Sequence, residues 1–115
     1  MALKADDFAR EHVAAFNSAV ASRDFADFLT RFEDDAVMRF ENVPGAGVIE
    51  LAGRPAITAG YDEQPPDDEI SIEGDVRIEG ESIVIPFAWR RDGAPGTMRL
   101  DLSGDQISRM VVTFE

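Results

Sequence analysis

Few side chains in this sequence can do chemistry. His12 is the only histidine, Tyr61 the only tyrosine and Trp89 the only tryptophan, and there is no cysteine. The last fact removes any thiol nucleophile, any cysteine-ligated zinc and any disulfide framework. His12 would titrate near neutrality if unperturbed, so it could act as a general base if it pointed into a cavity. The alternative is a partly exposed helix histidine, and a lone histidine builds no histidine-rich metal site. Glu41 directly follows Phe40, and Asp101 stands between Leu100 and Leu102. These two carboxylates are the candidate acid/base pair, with Arg39 or Arg99 beside them. Strand alternation puts all four on the face opposite the apolar residues, where ion pairs in solvent or at an interface compete with a catalytic role. A one-residue register shift would turn Glu41 inward. Tyr61 and Trp89 each join apolar area to one polar handle. Tyr61 could fix a carbonyl or hydroxyl of a ligand, or else pack by its ring at a rim. Trp89 precedes Arg90-Arg91, as expected of packing at a sheet margin or a dimer face.

Glu33-Asp34-Asp35 could be mistaken for a metal cluster, but a hard cation needs several converging oxygens. Three consecutive acids are expected to end a helix in water. There is no Gly-rich phosphate loop, no G-x-S-x-G elbow and no H-E-x-x-H. No metal and no cofactor are expected. The formal charge is −12, from 23 acidic and 11 basic residues, and Arg90-Arg91 is the only basic pair. Phosphate backbones demand clustered cations, so neither nucleic acid nor an anionic membrane surface is an expected partner. Asp6, Asp7 and Glu11 interrupt the first residues, and no run of about 18 apolar residues occurs anywhere. A cytoplasmic location is expected.

The elements that must position these residues follow from periodicity. A chain of 115 residues has room for one domain. Phe8, Val13, Phe16 and Val20 recur near the helical period and predict a helix over about residues 5–22. Asp24 then caps a short second helix carrying Phe25, Phe28, Leu29 and Phe32, which Glu33-Asp34-Asp35 ends. Residues 36–43 read as a strand, 44–47 as a turn and 48–51 as the return strand of a hairpin. Gly53-Arg54-Pro55 opens a third helix that runs to about Tyr61. From Ile70 onward the pattern is strand after strand, split by Gly or Asp turns, as in an antiparallel meander. Helices gathered in the first half and a mostly antiparallel sheet make the class α+β. Alternation sends Met38, Phe40, Phe87, Trp89, Met98 and Met110 to one face, and helix 1 adds Phe16. That inward set holds no carboxylate. It can fill a core or line an apolar pocket.

Three strings within this order resemble the nuclear transport factor 2-like superfamily, which includes ketosteroid isomerases, scytalone dehydratase and SnoaL-like cyclases. They are Phe16 to Val20 followed by Arg23-Asp24-Phe25, then Phe32-Glu33-Asp34-Asp35-Ala36-Val37, then Ala52-Gly53-Arg54-Pro55-Ala56-Ile57. The resemblance spans nearly the whole chain and implies a cone-shaped, curved antiparallel sheet with three helices in the N-terminal half. It also implies a pocket at the open end of the cone, and a homodimer, as relatives often form. The ketosteroid isomerase mechanism, by contrast, loses its groups. The positions of its oxyanion-hole tyrosine, proton-transfer aspartate and second aspartate fall at Phe16, Phe40 and Met98, and a supporting tyrosine falls at Phe32. Only Tyr61 matches a family tyrosine. Phenylalanine neither carries a proton nor donates to an oxyanion. The expectation is therefore a protein that binds an apolar small molecule among Phe16, Met38, Phe40, Tyr61, Phe87 and Met98. Isomerase or lyase chemistry would have to recruit Glu41, Asp101 or His12. The alternative is a non-catalytic homodimeric interaction module that uses the exposed sheet face.

Overall fold

The computed structural model describes residues 5–114. Helix α1, Ala5–Ser22, buries Phe8, Ala9, His12, Val13, Phe16 and Ala19 along one stripe, with Asp6 and Asp7 in its first turn. Acidic residues there complement the helix dipole. Arg23 takes a left-handed conformation (φ 60°). Its N–H donates to the Val20 carbonyl and the Asp24 N–H to that of Ala19, the two bonds of a Schellman stop. The Asp24 carboxylate then accepts the Ala26 N–H at 3.0 Å.

The second helix is shorter than its apolar spacing predicts. Helix α2 is the single turn Ala26–Leu29, and strand β1 begins at Phe32 and runs to Val43. Glu33-Asp34-Asp35 therefore stand within a strand rather than ending a helix. The cause is tertiary: the Ile107 N–H donates to the Arg31 carbonyl at 2.8 Å, and Phe32 pairs with Ile107. Long-range pairing overrides a local helical pattern here.

Among the described residues, seven strands form one sheet. Strand β2 is Gly47–Ala52, β3 Ile70–Ile72, β4 Arg77–Glu79, β5 Ser82–Trp89, β6 Pro95–Ser103 and β7 Gln106–Phe114. Their order is β2-β1-β7-β6-β5-β3, with β4 also on β5. The meander is antiparallel as expected, but β1 and β7 pair in parallel and join the first hairpin to the last strand. Register then stacks side chains in rows across the inner face. One row is Met38, Met110, Leu100 and Ile83, and the next is Phe40, Val112, Met98 and Ile85. A third runs Phe114, Gly96, Phe87 and Ile72. Gly96 is required in that row, since a Cβ there would meet the Phe87 ring at 2.6 Å.

Two helices close over this curved face to make a cone. The Asn17 amide on α1 both donates to and accepts from the backbone of Ile70, each at 2.9 Å, and so occupies the edge of β3. Helix α3, Arg54–Glu63, has Pro55 in its first turn and turns Ile57 and Tyr61 inward at i, i+4 spacing. Arg54 anchors its start to β1 through the Asp34 carboxylate at 3.2 Å and the Phe32 carbonyl at 3.2 Å. Among the described residues no helix is long and apolar enough to cross a membrane.

Candidate functional site at the mouth of the cone

Two hollows meet at the open end. An inner cavity of about 60 Å³ lies among Phe16, Ile70, Phe87, Met98, Met110 and Val112. An outer groove of about 510 Å³ is bounded by Val43, Ile49, Leu51, Gly60, Glu63 and Gln64. Phe40, Tyr61, Pro66, Trp89 and Phe114 line both and form the neck between them. An apolar cavity of roughly 150 Å³ holds a benzene ring. The inner space therefore accepts a small group, and the bulk of any ligand would lie in the groove.

The neck is held by rings. Trp89 stacks on Phe114 at 6.3 Å and 7°, and Phe114 stacks on Phe40 at 6.3 Å and 22°. Phe16 and Phe87 meet Trp89 edge-on at 6.4 and 5.6 Å. Tyr61 is fixed from behind by Phe25 at 5.2 Å and Phe28 at 6.1 Å. Burial raises the Tyr61 pKa, so its hydroxyl stays a neutral donor throughout the ordinary pH range. Among the described residues none forms a hydrogen bond with that hydroxyl.

Of the six residues expected to line a pocket, Phe16, Phe40, Tyr61, Phe87 and Met98 border the inner cavity. Met38 does not. It is fully buried one row deeper, opposite Met110, where it fills the core.

The three acid/base candidates stand elsewhere. Glu41 lies on the outer sheet face, where it accepts from Arg39 Nε at 2.8 Å and from the Thr113 hydroxyl at 3.4 Å. Asp101 lies on the same face and accepts from the Ser82 hydroxyl. Glu41 is in register with Thr113, and Thr113 with Thr97. Asp101 is four residues along β6 from Thr97, about 13 Å at strand spacing. The expected acid/base pair is therefore not formed, and Arg99 pairs instead with Glu79 at 2.8 Å. No register shift turns Glu41 inward.

His12 corrects another expectation. It is fully buried rather than partly exposed. It packs against Phe28 at 5.3 Å, Phe8 at 6.3 Å and Phe32 at 6.4 Å, and it borders neither hollow. Its Nδ1 accepts from Arg31 Nε at 3.4 Å, while Nε2 has no partner among the described residues. Desolvation, then the Arg31 guanidinium, lowers its pKa to about 3. A histidine so held does not accept a proton near neutrality.

Sequence reasoning missed the outer wall: Val43, Ile49, Leu51, Glu63, Gln64 and Pro66. Tyr61 points to part of it, because Glu63 and Gln64 follow it at the end of α3.

No family model and no curated protein matches the sequence. Solved structures do match. A nuclear transport factor 2-like protein of unknown function from Mesorhizobium loti superposes with a TM-score of 0.68 at 17% identity, over 100% of this chain and 97% of that one. Another from Burkholderia xenovorans gives 0.67 at 19%, over 92% and 81%. A Catenulispora acidiphila protein with a ketosteroid isomerase-like fold, solved in complex with trimethylamine, gives 0.68 at 17%, over 91% and 85%. Helix order, sheet and superposition agree: this chain has the nuclear transport factor 2-like fold.

Proposed function

We propose that this protein binds an apolar small molecule at the mouth of the cone. The observation that carries this reading is the shared neck. Phe40, Tyr61, Pro66, Trp89 and Phe114 face both hollows and offer a continuous apolar surface, with one phenol that has no partner among the described residues. Such a site is mostly apolar with few convergent polar groups, the usual composition of a ligand pocket. The Catenulispora acidiphila neighbour, which holds trimethylamine, supports a ligand-binding use of the fold. Binding is favoured over proton transfer because, among the described residues, Tyr61 is the only titratable side chain on the inner cavity. Isomerase or lyase chemistry would need a base, and among the described residues the single carboxylate lining the groove is Glu63.

Tyr61 is the orienting donor in this reading. Titrations with acetophenone and its carbonyl-free analogue ethylbenzene test it, read on the indole N–H resonance of Trp89. Tyr61→Phe is expected to weaken acetophenone about two- to tenfold, the worth of one hydrogen bond. Ethylbenzene should change by less than about twofold, since only the hydroxyl is removed. Equal losses for both would remove Tyr61 from this role.

A further inference from the structure

We infer that the groove takes an organic cation, a methylated ammonium carrying an apolar body. This rests on the mouth being the ligand site and names the ligand's charge. Four aromatic side chains wall the groove: Phe40, Tyr61, Trp89 and Phe114. Aromatic faces carry negative charge density and attract cations. Among the described residues, and apart from the Tyr61 phenol, the one ionisable side chain lining the groove is Glu63, at the exposed end of α3. Among the described residues no cation pairs with Glu63.

The surroundings carry the same sign. A neighbouring hollow shares Pro66 and Trp89 with the groove and is lined by Asp67, Asp68, Asp92 and Arg91. Arg91 is already engaged: its guanidinium lies 3.6 Å from the Asp67 carboxylate, and its backbone N–H donates to the Asp68 carboxylate at 3.1 Å. The approach to the mouth is therefore negative, on a chain whose net charge is −12. Clefts lined by one sign of charge concentrate ligands of the other. Among the described residues no lysine or arginine lines the groove, so a carboxylate or phosphate would find no counter-ion from them there. A primary ammonium would have to shed strong hydration at an apolar wall. A methylated ammonium sheds little, and it fits rings on one side and a rim carboxylate on the other. Its charged end lies toward Glu63, which leaves Tyr61 for the inner end of the ligand.

Calorimetric titration of the full chain at low salt with phenyltrimethylammonium and tert-butylbenzene tests this, because the two match in shape and differ in charge. The cation should bind about tenfold more tightly. That margin should shrink as salt is raised, because the rim charge is screened. In Glu63→Gln the margin should fall about threefold, as expected for one exposed charge. Equal or tighter binding of tert-butylbenzene overturns the cation while leaving the pocket standing. Binding of neither probe overturns the pocket as well. A cation preference that Glu63→Gln leaves intact overturns its assignment to this groove.

Discussion

Phe28→Ala should cost about 3–5 kcal/mol of stability, the range for removing a buried aromatic ring. Phe28 is 2% exposed and is the hub of the ring cluster behind the site. His12, Phe16, Phe25, Phe32 and Tyr61 all lie between 5.3 and 6.4 Å from it. It sits on α2, a single helical turn of four residues. Such a helix has no stability of its own and exists because its side chains are buried. Losing the ring opens a cavity, frees that turn and removes the ring stacked on Tyr61. The melting midpoint should fall by roughly 10–20 °C at this chain length. Phe28→Leu, which keeps much of the volume, should cost well under half as much. Urea denaturation measures both. A loss below about 1 kcal/mol in Phe28→Ala would mean that the cluster does not hold the helix.

The second large effect is a loss of stability in mild acid. His12 is neutral in the folded protein until about pH 3, against an ordinary value of 6.5. Between those values the unfolded chain takes up a proton that the folded one refuses. Stability is therefore full above pH 6.5 and falls as the pH drops, by up to about 1.4 kcal/mol per unit. The whole window to pH 3 is worth on the order of 4 kcal/mol. Carboxylates complicate its lower half, so pH 5 to 6.5 is the informative range. There the expected loss is about 2 kcal/mol. The groups around the ring reinforce the sign. Arg31 donates to Nδ1, and Arg31 in turn pairs with Glu11 at 3.5 Å. His12→Phe removes the titrating group while keeping an aromatic ring in place. Its stability should be flat across that range, measured by urea denaturation at each pH. A slope equal to that of the parent protein would assign the acid sensitivity to other residues.

The parts of this molecule that can be read from sequence are those with a local signal. Helix α1 shows an apolar stripe, α3 opens on Gly53-Arg54-Pro55, and β6 alternates cleanly, with Met98 and Leu100 buried between Thr97, Arg99 and Asp101. Periodicity alone turns Phe16, Phe40, Phe87 and Met98 inward, and all four border the inner cavity. What escapes is long-range. The parallel pairing of β1 with β7 joins residues about seventy apart, as in Met38 with Met110, and no local pattern encodes it. That same pairing draws Phe32 into a strand opposite Ile107, against its helical spacing. The outer wall of the groove escapes because the β1–β2 hairpin brings Ile49 and Leu51 toward α3, a tertiary matter. His12 is a different case. It stands four residues from both Phe8 and Phe16, so the stripe itself places it in the core, and only its residue type suggests exposure.

The central claim is that the mouth of the cone is a ligand site, and intermolecular NOEs from bound acetophenone test it most directly. The ring protons of the ligand should show NOEs to Trp89, Phe114 and Tyr61, because these line both hollows. NOEs confined to exposed apolar residues away from the neck, such as Val48 and Ile78, would contradict it. So would the absence of any saturable binding.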